Sequence, residues 1–285
     1  MSDLHLEVGR QYESFDIPVR GQFLILAGDI GRLADYEPYL CFLERTCSKF
    51  VRVFLVLGNH EFFGVSHEEG IRLAKQLSLE PRLSSKLTIL DRHRFDIQDD
   101  HVTFLGCTLQ SHIPPEAHDM VRQKVNDFRH IVNWTVDDHN AEHERDVQWL
   151  KSEIARVRAE PDGQARRIVV VTHHAPSVAL TSEPKDRGSP WSSAFSTDLL
   201  GMGGDFALSA LDDVQWWIFG HTHFTTSLTL GQVRLVSNQR GYVFPRAGRA
   251  PAAPTSISLR ESITRLWERH RIREDVFDVR RTITV

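Results

Sequence analysis

The chain has 285 residues, 41% of them hydrophobic and 25% charged, and its formal net charge is −4 at pH 7. These proportions are those of a globular protein and exclude a largely disordered chain. The sequence pI of about 6.4 argues against a dedicated nucleic-acid-binding protein, whose domains are usually strongly basic. No apolar run approaches the ~18 residues of a membrane span, and the N-terminal residues lack a secretory signal, so we expect a cytoplasmic protein.

Short apolar runs alternate along the chain with segments of helical periodicity. Runs rich in β-branched residues and bounded by polar loops predict buried strands. These strands cover residues 23–27, 51–57, 87–90, 102–107, 168–171, 216–219, 227–230 and 233–236. Apolar spacing predicts helices over 36–47, 68–77 and 140–158, the last preceded by a capping box of Thr135 and Asp138. Alternating strands and helices predict a layered α/β fold.

The composition changes in the last part of the chain. Residues 178–203 are rich in Ser, Pro and Gly, which predicts a long loop, and residues 245–256 are rich in Ala, Pro and Arg, which predicts a linker. We therefore predict one domain over residues 1–245, a linker with a short amphipathic helix over 246–275, and a C-terminal strand over 276–285.

Polar side chains follow the predicted strands at the points where these strands end. They are Asp3 and His5, Asp29, Asn59 and His60, His173 and His174, and His221 and His223. Because ligands bind at the carboxyl ends of strands in open α/β sheets, we expect these groups to converge. Two carboxylates, one amide and four of the imidazoles are too many ligands for one tetrahedral ion and suit two. Nitrogen and oxygen donors without thiolate favour Mn, Fe or Zn.

Taken in chain order, these motifs resemble those of the calcineurin-like metallophosphoesterases. They are Asp3-x-His5, Gly28-Asp29, Gly58-Asn59-His60-Glu61, His173 and Gly220-His221-x-His223, and the resemblance spans roughly residues 3–244. It implies a four-layer α/β/β/α sandwich with two central mixed sheets. It also implies hydrolysis of a small phosphomonoester or phosphodiester with two divalent metal ions as cofactors.

The resemblance further implies a role for each motif residue. Asp3, His5 and His223 would hold one ion, Asn59, His173 and His221 the other, and Asp29 would bridge the two. A hydroxide between the ions would attack phosphorus, and His60 would act as the general acid. Asn59, His60, His112 and Arg240 are the expected substrate contacts.

Residues next to the motifs narrow the choice among the branches of this family. Ile30-Gly31-Arg32 stands where phosphoprotein phosphatases have Asp-Arg-Gly, and Arg32 replaces the iron-binding tyrosine of purple acid phosphatases. The small bacterial and fungal phosphoesterases remain, a group whose motif layout is shared by cyclic nucleotide phosphodiesterases. The alternative from another class is a non-catalytic binding scaffold on the same fold, which usually lacks some of the ligands.

Three further expectations concern the N-terminal segment and particular histidines. Only Met1 and Ser2 precede Asp3, so the strand that should lead into it is missing or truncated, which predicts a frayed segment and a weakened first metal site. His139 and His143 are four residues apart on a helix, and we expect them on its solvated face. His174 is expected to have a structural role.

Overall fold

The computed structural model describes residues 1–186, 188–201, 213–244 and 276–285. Within these ranges the chain forms two β-sheets flanked by helices. The strands are β1 (Phe23–Ala27), β2 (Arg52–Val56), β3 (Leu87–Ile89), β4 (His93–Ile97), β5 (Val102–Cys107), β6 (Arg167–Thr172), β7 (Val214–Phe219), β8 (Thr226–Leu230) and β9 (Val233–Ser237). The helices are α1 (Tyr36–Lys49), α2 (His67–Ser78), α3 (His118–Lys124), α4 (Asp127–His130) and α5 (Val136–Ala159).

The two sheets differ in strand direction. The smaller sheet has the order β1-β2-β3 and is parallel throughout. The larger sheet has the order β4-β5-β6-β7-β9-β8 and is mixed, because β4 and β8 run antiparallel to their neighbours. The predicted α/β fold with two sheets is therefore confirmed. The parallel strands bring the loops at their carboxyl ends to one side of the molecule.

Side-chain alternation along the strands fixes the order of the layers. On β2, Phe54 belongs to the apolar cluster between the sheets, where its ring stacks on Phe104 of β5 at 4.5 Å. The next residue along, Leu55, belongs instead to the cluster that includes Leu40 of α1. Leu150 of α5 packs in the same way against the outer face of the larger sheet. Because successive residues point to opposite faces, one strand serves both cores.

The first residues of the chain are hydrogen-bonded rather than frayed. The Met1 carbonyl accepts from Ala27 N at 2.9 Å, Ser2 N donates to Asn238 O at 3.0 Å, and Asp3 N donates to Gly28 O at 3.0 Å. Asp3 and His5 have no exposed surface. The prediction of a frayed segment was wrong, because these bonds tie residues 1–3 to the ends of β1 and β9.

Several boundaries and elements depart from the sequence expectations. Strand β4 and helices α3 and α4 were not predicted, because β4 offers only Phe95 and Ile97 as apolar positions and the two helices are seven and four residues long. The predicted C-terminal strand is absent from the described residues 276–285: Asp278 pairs through its backbone with the side-chain amide of Asn238, not with a strand. The linker and helix predicted for 246–275 lie outside the described residues. Among the described helices, none is both long and apolar enough to cross a membrane.

Candidate metal centre

The polar residues that follow the strands converge into one buried cluster. His5 Nε2 lies 2.9 Å from His223 Nε2, and His173 Nε2 lies 3.2 Å from His221 Nδ1. Asp29 lies between these pairs, with Oδ1 3.3 Å from His173 Nε2 and Oδ2 3.9 Å from His5 Nε2. Residues from four separate loops thus meet around one carboxylate.

The backbone of the cluster is strained. Five of the expected ligands have left-handed backbone conformations although none is glycine: Asp3 (φ 53°), His5 (46°), Asp29 (54°), His221 (70°) and His223 (51°). A left-handed residue with a Cβ costs about 1–2 kcal/mol, so the surrounding structure must compensate. Such conformations concentrate at active sites and ligand clamps, and their presence here favours a functional site.

Two motif glycines permit the close approach of the loops. A Cβ on Gly58 would lie 2.2 Å from Asp29 Oδ1, and a Cβ on Gly28 would lie 2.2 Å from His173 Nδ1. Gly28 also has a φ of +86°, which a side chain rarely adopts. Both glycines are thus required by space, and Gly28 is required by backbone conformation as well.

Glu61 is buried beneath the cluster and holds two of its loops together. Its carboxylate accepts hydrogen bonds from the backbone N–H groups of Asp29, Ile30, Gly31 and Gly58 at 2.7–3.3 Å. It also accepts from the Tyr39 hydroxyl at 2.9 Å. Burial, together with the nearby carboxylate of Asp29, raises the pKa of Glu61 to about 7. The carboxylate oxygens of Glu61 are thus engaged by backbone N–H groups and by the Tyr39 hydroxyl.

A second buried carboxylate orients an amide ligand. Asp127 Oδ1 accepts a hydrogen bond from Asn59 Nδ2 at 2.7 Å, and this contact turns Asn59 Oδ1 toward His173 Nε2, 3.0 Å away. Burial raises the pKa of Asp127 to about 6. Asp127 was not found from the sequence, because its separation of 68 residues from Asn59 belongs to no motif.

His60 lies at the edge of the cluster between a carboxylate and a phenol. Its Nδ1 lies 2.8 Å from Glu7 Oε1, and its Nε2 lies 3.0 Å from the Tyr242 hydroxyl. The Tyr242 ring stacks on His5 with centroids 4.2 Å apart. Neither Glu7 nor Tyr242 was predicted. Glu7 continues the alternation Asp3-x-His5-x-Glu7, and this spacing is the one sequence signal by which it could have been found.

The charges of the cluster stabilise one another. Burial by itself would raise the pKa of Asp29, but the neighbouring imidazoles, His173 first, lower it well below its usual range. Burial would lower the pKa of both His173 and His60, yet Asp29 raises the first to about 10 and, with Glu7, the second to about 9. A carboxylate surrounded by imidazoles is a donor set that fits divalent cations, which bind the deprotonated ligands in place of these protons.

Three groups of side chains have ligand atoms close enough together to hold an ion. They are Asp3, His5 and His223; Asp29, His173 and His221; and His5, Asp29 and His60. In each group all ligand atoms lie within 4.8 Å of one another. The first two groups match the two expected ligand sets, with Asn59 beside the second. The chain therefore contains a histidine and aspartate cluster that fits metal binding.

Other predicted residues are not brought to this cluster. The Arg240 guanidinium donates to Leu4 O at 3.0 Å and to Gln11 Oε1 at 2.8 Å, so these groups, and not the centre, surround it. The ring of His112 lies 6.1 Å from that of His143, outside the three ligand groups.

Histidines near the cluster are buried. His174 has no exposed surface and its ring lies 4.0 Å from that of His221, in keeping with a structural role. The expectation that His139 and His143 are solvated was wrong, because both are buried on the inner face of α5. His139 Nε2 accepts from Ser111 N at 3.2 Å, and His143 Nδ1 lies 3.0 Å from Leu109 O.

A two-sheet α/β fold with a cluster of His, Asp and Asn at the strand ends is the architecture of a metallophosphoesterase. The sequence profile described as calcineurin-like phosphoesterase matches residues 1–224, and the chain belongs to this family. It is 23% identical over 283 residues to an uncharacterized protein of Acanthamoeba polyphaga mimivirus, covering 90% of this chain and 95% of that protein. The crystal structure of the Mycobacterium tuberculosis phosphopantetheinyl hydrolase is similar with a TM-score of 0.59 and 18% identity, covering 88% and 97% of the two chains. That identity supports a likeness of fold.

Proposed function

We propose that the protein is a binuclear metal-dependent phosphoesterase that hydrolyses a small phosphomonoester or phosphodiester. The observation that carries this proposal is the position of Asp29 between two separate ligand groups, His5 on one side and His173 on the other. A single carboxylate shared by two sets of imidazoles is the arrangement that a pair of ions requires. Complete ligand sets favour an enzyme over a binding scaffold.

Each group of the centre has a role in this proposal. Asp3, His5 and His223 hold one ion, and Asn59, His173 and His221 hold the other, with Asp29 between them. Two such ions lower the pKa of water and offset the charge of a phosphate ester. The hydrogen-bonded loops keep the ligands in place.

His60 is the proposed proton donor. Its Nε2 is directed to the side of the cluster where Asp29 Oδ2 lies 4.0 Å away. Burial would lower its pKa, but Asp29 and Glu7 raise it to about 9 in the metal-free chain, which favours a protonated ring. Donation of this proton to the departing alkoxide accelerates cleavage of esters with poor leaving groups.

The experiment is an assay of the purified chain after metal removal, with Mn²⁺, Zn²⁺ or Fe²⁺ added back singly. The substrates are 4-nitrophenyl phosphate and bis(4-nitrophenyl) phosphate. We expect turnover of at least one ester that depends on added metal, and we expect Asp29→Asn to retain at most about 1% of it, comparable to the larger losses seen even for outer partners of metal ligands. Absence of metal-dependent turnover in the wild-type chain would contradict the proposal and favour the binding scaffold.

A matched control separates loss of the centre from a general loss of charge. Asp119 on α3 is a highly exposed carboxylate. Asp119→Asn removes the same charge as Asp29→Asn and is expected to leave the rate unchanged. Equal losses in the two variants would mean that the cluster around Asp29 is not the active centre.

A further inference from the structure

A buried carboxylate outside the expected ligand sets contacts two histidines of the centre. Glu7 Oε1 lies 2.8 Å from His60 Nδ1 and 3.4 Å from His5 Nδ1. The Glu7 side chain is only 8% exposed. Residues 7 and 60 belong to different loops, so their contact is a product of the tertiary fold. Burial of a charged carboxylate is costly unless the charge is paired. The imidazoles of His60 and His5 are the groups that pair with Glu7 here.

The rings that pack on His60 do not by themselves determine which of its nitrogens faces the cluster. The ring of Phe63 stacks on one face of the imidazole with centroids 4.1 Å apart, and the ring of His5 meets it edge-on at 4.4 Å. These packing contacts fix the plane of the ring, but a rotation of about 180° about the Cβ–Cγ bond would preserve that plane. The carboxylate of Glu7 needs an N–H donor, and the Tyr242 hydroxyl lies 3.0 Å from Nε2. These two contacts place Nδ1 at Glu7 and Nε2 on the side of the cluster.

We propose that Glu7 is the positioning residue of His60, which it holds with Nε2 directed at the departing oxygen of the substrate. This inference rests on the proposed function, because it assigns a task to Glu7 only if His60 donates a proton. In this step the oxygen of a water-derived hydroxide forms a new bond to phosphorus while the P–O bond to the leaving group breaks. The electron pair of the broken bond stays on the leaving oxygen, and the Nε2 proton of His60 moves to that oxygen. Glu7 takes no part in the transfer and keeps its hydrogen bond to Nδ1 throughout.

The other buried carboxylates around His60 already accept hydrogen bonds from groups other than its ring. Glu61 accepts from backbone N–H groups, and Asp127 accepts from Asn59. Asp29 accepts from the backbone N of His60 at 2.8 Å, not from its ring. Within the described residues, Glu7 is therefore the carboxylate placed to hold the Nδ1 side of the imidazole. The longer distance to His5 makes His60 its main partner.

The test compares a good and a poor leaving group in Glu7→Ala. Proton donation matters most for the poor one, so we expect kcat to fall about 100-fold with phenyl phosphate and less than about 10-fold with 4-nitrophenyl phosphate. If the wild type prefers diesters, the matching pair of diesters is used. Glu13 lies on the same N-terminal segment and is exposed, so Glu13→Ala is the matched control and should leave both rates unchanged.

A double variant shows whether Glu7 acts through His60. In a His60→Ala background, Glu7→Ala should add less than about a twofold loss, because the group that it positions is already gone. A readout besides activity is the ¹H–¹⁵N spectrum of the histidine rings in the metal-free chain. The Nδ1 signal of His60 should shift in Glu7→Ala, whereas that of His101, an exposed histidine, should not.

The possible results separate this inference from the proposed function. A wild-type chain without turnover would overturn the proposed function and the role of Glu7 with it. Turnover in the wild type with equal losses for both leaving groups would overturn the inference alone. So would a loss in Glu7→Ala that persists in the His60→Ala background, since Glu7 would then act through His5.

Discussion

The imidazoles of His5 and His223 stand 218 residues apart in the chain, yet their Nε2 atoms lie 2.9 Å from each other. Asp3 Oδ1 lies 3.5 Å from the same atom of His223. The lone pairs of these two imidazole nitrogens and this carboxylate oxygen repel one another unless a cation or a proton lies among them. This relationship gives a direct expectation for the effect of metal on stability.

Added metal should stabilise the folded chain. An ion at one hundred times its Kd adds about 2.7 kcal/mol to the free energy of unfolding. For a chain of this size we expect the Tm to rise by about 5–10 °C when Mn²⁺ is added to the metal-free protein. Differential scanning fluorimetry measures this shift. In His223→Ala the rise should be smaller, and in the control His101→Ala it should equal that of the wild type; a rise that is the same in all three would place the ion elsewhere.

Gly58→Ala should damage the centre because its Cβ would collide with Asp29. The new carbon would lie 2.2 Å from Asp29 Oδ1 and 2.5 Å from Asp29 N, so the carboxylate or the loop must move. We expect the affinity for Mn²⁺ to fall at least about 10-fold. Isothermal titration calorimetry measures the affinity. Gly21→Ala is the control, since its nearest atom is Phe23 O at 3.8 Å, and wild-type affinity in Gly58→Ala would refute the steric argument.

Asp127→Ala should weaken metal binding without removing a ligand. Its carboxylate fixes the amide of Asn59 with Oδ1 toward His173, and outer partners of this kind contribute about 10–100-fold to metal affinity. Competition with a metal-binding dye measures the change. Asp119→Ala removes an exposed carboxylate and should have no effect, whereas an unchanged affinity in Asp127→Ala would mean that Asn59 is held by other contacts.

His139 should make the fold sensitive to acid. Burial first, and then the nearby His143, lowers the pKa of His139 from 6.5 to about 3. Above pH 6.5 the residue is neutral in both states. Between pH 6.5 and about 3 only the unfolded chain binds the proton, so the free energy of unfolding falls as the pH falls. At pH 5 the loss due to this residue is about 2 kcal/mol, from about 1.4 kcal/mol for each pH unit.

Urea unfolding at pH 7.5 and pH 5 tests this sensitivity. His139→Gln keeps an acceptor for Ser111 N but removes the titrating group. We expect its free energy of unfolding to fall by about 2 kcal/mol less than that of the wild type over this interval. His101→Gln, at an exposed position, is the control and should follow the wild type. Equal losses in the wild type and His139→Gln would show that other groups account for the acid sensitivity.

Much of the fold was predictable because its signals are local. The strand at 23–27 is a short apolar run, and the helix α5 begins at the capping box of Thr135 and Asp138, which the structure contains. The motifs with Gly28 and Gly58 are equally local as sequence patterns, because each glycine directly precedes an expected ligand. The residues that need the space at these glycines, His173 and Asp29, are distant in the chain. The order of the motifs along the chain then placed the cluster at the strand ends.

The features that the sequence did not predict depend on contacts between residues that are distant in the chain. Glu7 and Tyr242 meet at His60 across 53 and 182 residues, and no spacing in the sequence relates either of them to His60. His139 was predicted to be solvated because its spacing with His143 lacks the glutamate of a metal-binding H-E-x-x-H helix. Its burial follows from the packing of α5 against the loop at Ser111. The burial of Asp3 likewise follows from the hydrogen bonds that tie residues 1–3 to the ends of β1 and β9. The short N-terminal segment carries no local pattern that predicts these bonds.

The central claim is that two ions bind around Asp29, and their number is the most direct test. Elemental analysis of the purified chain after dialysis against Mn²⁺ should give about two ions for each wild-type chain and about one for His223→Ala, since that variant disrupts one ligand group only. Asp29→Asn should give fewer than one. One ion or none in the wild type, or two in His223→Ala, would contradict the binuclear centre proposed for this protein.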